Sequence, residues 1–152
     1  VRNKHPAGQT KFAPEKILLY VHGATYPSET AFDLPIAGKS MMDLIAARGY
    51  DVYLVDVRGY GRSSRPPEMS QPPGDNKPIV QTRVAAKDFC TAVDYILKKR
   101  GVSKINVMGW SWGTSTSRWR LDIDSGLMTL ESRLSATSFV SGSIRRVAVK
   151  IE

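Results

Sequence analysis

Residues 104–113 read KINVMGWSWG, and they carry the strongest signal for the fold of this chain. Its first half, Lys104 to Met108, is a short run of mostly apolar residues, which is typical of a strand buried inside a sheet. Its second half, Gly109 to Gly113, fits the pattern G-x-S-x-G, in which a serine lies on a tight turn between a strand and a helix. The pentapeptide alone is a weak signal because glycine and serine are common. The preceding strand makes the match informative.

Buried strands alternate with helices upstream of this stretch. Residues 17–21 (ILLYV) and 51–57 (DVYLVDV) predict two further strands, each apolar enough to be covered on both faces. Helical spacing of apolar residues predicts helices over residues 40–49 and from 82 to about 99, with Gly101 as the stop of the second. The order strand, helix, strand, helix, strand indicates an α/β protein with a parallel sheet and flanking helices.

The first predicted helix begins with a capping signal. Ser40 is the expected N-cap, and Asp43 stands three residues later as its capping-box partner. Residues 38–40 (GKS) look like the end of a phosphate-binding loop, but that loop needs a glycine five positions before Gly38, and Asp33 stands there. The sequence therefore predicts an ordinary helix start and no nucleotide site.

The composition limits the class of protein and its partners. The chain has 152 residues, 41% hydrophobic and 24% charged, which fits one globular domain. The single cysteine excludes an internal disulfide framework, no cluster has metal-ligand spacing, and no apolar run is long enough to span a bilayer. The net charge of +8 is scattered, and its densest group, Lys98 to Arg100, lies at a helix end, so no nucleic-acid partner is expected.

Two more motifs lie where predicted strands end. His22-Gly23-Ala24-Thr25 follows the first strand, and residues 56–63 (DVRGYGRS) end the second. With G-x-S-x-G, these motifs make roughly residues 14–114 resemble the α/β-hydrolase superfamily, in particular its serine esterases and lipases. The resemblance implies that Ser111 is a nucleophile and that the backbone N–H groups of Ala24 and Trp112 hold the oxyanion. It also implies a small-molecule acyl substrate and no cofactor.

The rest of the family's catalytic triad is missing from the sequence. The family places an acid and then a histidine far downstream of the serine. This chain has two histidines, and neither follows Ser111. His5 lies in residues 1–16, a polar stretch with two prolines that predicts a loop or a frayed edge, and His22 belongs to a motif of its own. A structural role is expected for His22. Among the acids, Asp122, Asp124 and Glu131 follow the serine too closely in sequence to be the family's acid.

The character of the sequence changes after Thr114. Residues 115–152 are rich in serine and show no clear helix or strand before a short candidate strand over 145–151. The interpretation is a partial α/β-hydrolase core over 1–114 and an atypical tail over 115–152, which implies a fragment or a shifted reading frame. Residues 118–122 (RWRLD) can be encoded by codons that read Met-Ala-Ala-Gly in another frame, a hypothesis that the coding DNA would decide. An incomplete sheet should leave strand 104–108 with an unpaired apolar edge.

Several alternatives stay open at this point. The chain is either a serine hydrolase of ester or related acyl bonds, with negligible turnover for want of a base, or a non-catalytic remnant or interaction module. A basic anion-binding protein is supported by charge alone. Trp110 and Trp112 line an apolar pocket or belong to the core. The oligomeric state is not indicated. No signal peptide is visible, which favours the cytoplasm, but the chain opens at Val1 rather than Met, so the compartment stays open.

Overall fold

The computed structural model describes residues 1–124 and 143–148. In this part of the chain the strands are β1 (Arg2–Lys4), β2 (Ile17–Val21), β3 (Asp51–Val55), β4 (Lys104–Gly109) and β5 (Ser143–Ala148). The α-helices are α1 (Ser28–Phe32), α2 (Met41–Ala46), α3 (Thr82–Arg100) and α4 (Trp112–Asp124). Short 3₁₀ turns lie at Pro14–Lys16 and Pro67–Ser70.

The strands form one mixed sheet in the order β1-β3-β2-β4-β5. The three central strands, β3, β2 and β4, run parallel, while β1 and β5 lie antiparallel at the two outer positions. Every residue of β2 and β3 is buried, as expected for strands that helices cover on both faces. The predicted α/β fold with a parallel sheet and flanking helices is therefore confirmed.

Alternate residues of the central strands belong to two separate apolar cores, because successive side chains of a strand point to opposite faces of the sheet. One core joins Ile17, Leu19 and Val21 to Phe89, Val93 and Ile96 of α3. The other joins Leu18 and Tyr20 to Phe32 of α1 and Met42 of α2. The sheet thus has α3 on one face and α1 with α2 on the other.

The helix ends agree with the local signals in the sequence. The Ser40 side chain accepts a hydrogen bond from the Asp43 N–H at 3.0 Å, and the Asp43 carboxylate accepts one from the Ser40 N–H at 2.9 Å. This reciprocal capping box satisfies donors that a helix start would leave free. Gly101 ends α3 with a φ of +62°, a conformation that glycine adopts at little cost.

Three features differ from what the sequence predicted. Residues 1–16 are not all loop, because Arg2–Lys4 pairs with β3. The outer edge of β4 is not unpaired, because Ser143–Ala148 adds to it as an antiparallel strand. Residues 115–124 are not irregular, because α4 runs past Thr114 to Asp124. The division of the chain near residue 114 stays a prediction, and residues 125–142 and 149–152 lie outside the described part.

Among the described residues, no helix combines the length and the apolar character that crossing a bilayer requires.

Candidate active site

Three loops leave the sheet side by side at the carboxyl ends of the parallel strands. Val21, the last residue of β2, is level with Val55 of β3 and with Gly109 of β4. The three sequence motifs begin directly after these positions or at them, so they meet at one edge of the sheet. We call this the carboxyl edge, and the opposite one the amino edge. Ligands of open parallel sheets bind in general outside the carboxyl ends of the strands.

Ser111 occupies a strained turn between β4 and α4. Its φ is +52°, in the left-handed region that residues with a side chain adopt rarely. The turn is held by hydrogen bonds from the Trp110 N–H to the Val21 carbonyl at 3.1 Å and from the Gly113 N–H to the Trp110 carbonyl at 2.8 Å. Ser111 is exposed. The sheet edge thus presents a hydroxyl group to solvent on a backbone that is fixed on both sides.

Glycines make this turn possible because neighbouring backbone leaves no room for a side chain. A Cβ on Gly113 would lie 2.5 Å from the carbonyl oxygen of Val21 and 2.6 Å from that of His22. A Cβ on Gly109 would lie 2.6 Å from the carbonyl oxygen of Gly113. The start of α4 therefore packs directly on the loop that follows β2. The close approach of neighbouring backbone therefore explains why the G-x-S-x-G pattern has glycine at both positions.

His22 is completely buried and uses both ring nitrogens for hydrogen bonds. Its Nδ1 lies 2.5 Å from the Gly23 carbonyl oxygen, and its Nε2 accepts from the Val57 N–H at 3.1 Å. Burial lowers the pKa of the ring; the bond to Gly23 and the nearby Asp56 act in the opposite direction without cancelling that effect. The ring is thus neutral, and the structural role expected for His22 agrees with its contacts.

The motif over residues 56–63 braces the carboxyl edge. Buried Asp56 accepts a hydrogen bond from the Ser28 N–H at 2.7 Å, and a Cβ on Gly61 would clash with its other carboxylate oxygen. Arg58 pairs with Asp88 of α3 through Nη2 and Oδ1 at 2.6 Å. Burial works against ionisation of Asp88, but the hydrogen bonds from Arg58 lower its pKa. The loop is thereby tied to α1 and to α3.

Two side chains at this edge were not identified from the sequence. The ring of Tyr60 lies 4.5 Å from that of His22 and 6.3 Å from that of Trp112, and its hydroxyl donates to the Ala24 carbonyl oxygen. The hydroxyl of Thr82 accepts a hydrogen bond from the Trp112 indole N–H at 2.9 Å. Tyr60 stands at a variable position of its motif, and Thr82 is distant in sequence, so neither carried a local signal.

The two tryptophans beside Ser111 have different surroundings. Trp112 is partly buried and packs against the core on the α3 face. Trp110 is 49% exposed, and its Cδ1 would lie 3.3 Å from a Cβ on Gly23. Trp112 therefore belongs to the core, whereas Trp110 offers an apolar surface next to the serine.

The backbone N–H groups of Ala24 and Trp112 lie in the loop after β2 and at the start of α4. Trp112 is the first residue of α4, so no carbonyl of a preceding turn is available to its N–H. Within residues 1–118, no group accepts a hydrogen bond from the Ala24 N–H either. The helix start also carries partial positive charge. The structure thus places both predicted donors at the carboxyl edge, while their role stays a prediction.

No histidine of the chain is available to Ser111 as a base. His22 is occupied on both nitrogens, as described above. His5 follows β1, whose residue Lys4 pairs with Val52 near the start of β3, so His5 lies at the amino edge. There it lines a depression of about 490 Å³ with Lys4 and Asp43.

The candidate acids are also remote from the turn. Asp122 and Asp124 lie in the last turn of α4, about 15 Å along the helix axis from its start. The helix therefore leads them away from the carboxyl edge. Glu131 lies outside the described residues.

Comparison with known proteins assigns the family. The family model for the alpha/beta hydrolase fold matches residues 16–124, and the chain belongs to this family. The match covers β2 to α4, which includes all three motifs of the carboxyl edge. No curated protein and no solved structure matches the chain.

Proposed function

We propose that Ser111 is the nucleophile of a serine hydrolase site for esters or related acyl bonds, and that the 152-residue chain forms a covalent adduct there with negligible turnover. The observation that carries the proposal is the turn itself: an exposed serine at φ +52° between a parallel strand and a helix. Strained backbone of this kind persists where the surrounding structure over-determines it, and it clusters at functional sites.

The chemistry needs donors for the charge that develops on the attacked carbonyl. When the Ser111 oxygen adds to an acyl carbon, negative charge moves onto the carbonyl oxygen, and fixed N–H groups stabilise it. We assign these donors to Ala24 and Trp112, because both N–H groups lie at the same edge as Ser111 and lack acceptors within residues 1–118. The exposed Trp110 is the apolar surface that a small acyl substrate would contact.

Turnover also needs a base, and neither histidine of this chain serves. A serine hydroxyl is a weak nucleophile until a neighbouring base removes its proton. A site with donors but no base keeps only the contributions of substrate binding and oxyanion stabilisation. The proposal therefore predicts reaction with strongly activated electrophiles and no rapid release.

The test is covalent labelling by an alkyl fluorophosphonate followed by intact mass and peptide mapping. We expect one adduct, at Ser111, and none above background in Ser111→Ala. The matched control is Ser103→Ala, because Ser103 is an exposed serine just before β4, at the opposite end of the same strand. Equal labelling of all three proteins, or an adduct elsewhere, would remove Ser111 as the nucleophile.

The pH dependence of labelling reports on the base. With no histidine in reach, solvent removes the proton, and the rate should rise about tenfold per pH unit across about pH 6 to 9. A histidine base would instead give a plateau above about pH 6.5. Such a plateau, or ester turnover of about 1 per second or more, would contradict the predicted lack of turnover.

A non-catalytic interaction module is the second candidate, and it is favoured by the hydrogen bond that occupies His22 and by the position of His5 at the amino edge. Its mark would be a folded chain whose Ser111 does not label at any pH. Reaction specific to Ser111 excludes it.

A further inference from the structure

His22 bonds to the peptide unit that carries one of the proposed oxyanion donors. Its Nδ1 lies 2.5 Å from the Gly23 carbonyl oxygen. That carbonyl and the Ala24 N–H belong to the same peptide group, which is planar and trans, so they point in opposite directions. Holding the carbonyl on the buried side of the loop therefore turns the N–H outward, toward the exposed side on which Ser111 stands.

The direction of the His22 bond is set by its second partner. Because Nε2 accepts from the Val57 N–H at 3.1 Å, the ring proton must be on Nδ1, which then donates to the Gly23 carbonyl. The next peptide is held as well, since the Tyr60 hydroxyl donates to the Ala24 carbonyl oxygen. The Ala24 N–H thus belongs to one anchored peptide group and is followed by a second anchored one.

We propose that His22 is a positioning residue: its Nδ1–H holds the Gly23–Ala24 peptide so that the Ala24 N–H faces the oxygen that becomes negative when Ser111 reacts. Donation to the carbonyl also polarises the peptide and strengthens its N–H as a donor. This inference rests on the proposed function of Ser111 and Ala24. It assigns His22 a role in the reaction that involves no proton transfer to or from substrate.

Two substitutions distinguish the contributions of the two ring nitrogens of His22. The side-chain amide of His22→Asn places a donor near the position of Nδ1, and that of His22→Gln places an acceptor near the position of Nε2.

In the labelling reaction the Ser111 oxygen attacks phosphorus, an O–P bond forms, the P–F bond breaks, fluoride leaves, and the serine proton passes to solvent. The phosphoryl oxygen gains negative charge in that step, which is the charge that the Ala24 N–H would stabilise.

The rate of this step should depend on whether the side chain at position 22 has a hydrogen-bond donor near the position of Nδ1. We expect His22→Gln to lower the maximal labelling rate by about 10²-fold, the effect typical of losing one oxyanion donor, with an unchanged half-saturating reagent concentration. His22→Asn should label at close to the wild-type rate. A merely structural role would instead lower the folded fraction in both variants and leave the maximal rate per folded molecule unchanged.

A measurement on the wild-type chain keeps the test valid if a variant fails to fold. Nitrogen-15 NMR should show the His22 proton on Nδ1, and the Ala24 amide proton should move downfield when Ser111 is phosphonylated. A proton on Nε2, an unmoved Ala24 amide in the adduct, or a normal maximal rate in His22→Gln overturns the inference while Ser111 remains the nucleophile. An absence of any Ser111 adduct overturns the proposed function, and the inference with it.

Discussion

The two edges of the parallel sheet are built in opposite ways. At the amino edge, Asp51 is the fully buried first residue of β3, and its carboxylate accepts hydrogen bonds from Arg100 at 2.6 and 2.9 Å and from Asn3 at 2.8 Å. At the carboxyl edge, Ser111 is exposed at φ +52° and two backbone N–H groups lack acceptors within residues 1–118. The polar groups around Asp51 thus bond to each other, whereas the carboxyl edge, beside its bonded groups, has two N–H groups without acceptors within residues 1–118 next to an exposed hydroxyl.

The difference separates what holds the fold from what is free to react. A buried carboxylate is tolerated only when it is paired and hydrogen-bonded, and Arg100 supplies both for Asp51 while also donating to the Tyr53 hydroxyl. Free donors beside an exposed hydroxyl stabilise nothing in the resting protein. Their use lies in binding charge that appears during a reaction. Changes at the amino edge should therefore act on stability alone, and changes at the carboxyl edge on stability and reactivity together.

The largest effect is expected at the amino edge, from Arg100→Met. The substitution leaves Asp51 buried without its cation, which typically costs about 3–5 kcal/mol in the free energy of unfolding. Urea denaturation measures the loss. Arg48→Met is the matched control, because Arg48 is exposed and its side chain, among the described residues, bonds only to the Leu44 carbonyl of the preceding helix α2. A change within about 0.5 kcal/mol is therefore expected. A loss in Arg100→Met as small as that of the control would mean that Asp51 does not depend on its partner.

The next effect is expected at the carboxyl edge, from Gly113→Ala. The added Cβ would lie 2.5 Å from the Val21 carbonyl oxygen, so the backbone must shift, at a cost of about 1–3 kcal/mol. Because this shift moves the Ser111 turn, the labelling rate per folded molecule should fall as well. Gly74→Ala is the control, since nothing lies within 4 Å of its added Cβ. A variant that is destabilised yet labels normally would break the proposed link between the turn and reactivity.

The smallest effect is a loss of stability in mild acid that arises from His22. Burial lowers its pKa in the folded chain below the ordinary value of 6.5, so the unfolded state takes up the proton first. Above about pH 6.5 the neutral ring contributes its full share to the free energy of unfolding. Below that pH the free energy of unfolding should fall by up to about 1.4 kcal/mol per pH unit, until the ring of the folded chain also protonates. Thermal unfolding at several pH values tests this.

Two variants assign the acid effect to its histidine. His22→Asn should flatten the pH dependence of stability over this range, and His5→Asn should retain it, because His5 is exposed at the amino edge. An unchanged slope in His22→Asn would contradict the contribution from His22.

Local signals in the sequence predicted the parts of the fold that depend on local physics. The continuous apolar runs of β2 and β3, the Ser40–Asp43 capping box, the Gly101 stop and the G-x-S-x-G turn each depend on residues close together in the chain. The pairing of β1 with β3 and of β5 with β4 depends on contacts between distant segments, and Arg2–Lys4 has no apolar pattern.

The same limit applied to the candidate site. Because parallel strands align their carboxyl ends, the sequence alone predicts that Ser111, Ala24 and Trp112 lie at one edge. The hydrogen bond from the Val57 N–H to His22 and the contact of Tyr60 with Ala24 follow from how two loops pack, which residue spacing does not encode. The helix α2, with the sequence MMDLIA, is apolar at nearly every position, so periodicity could not decide that Met42 and Ala46 face the core while Met41 is 54% exposed.

The positive φ at residue 111 also creates a conflict between foldability and function at a single position. Glycine would adopt this backbone conformation more readily than serine. A chain selected for folding alone would therefore place glycine there, and it would lose the only group at that position that can form a bond. The turn accordingly limits how far the protein can be stabilised by redesign, because this strained residue is one that must stay.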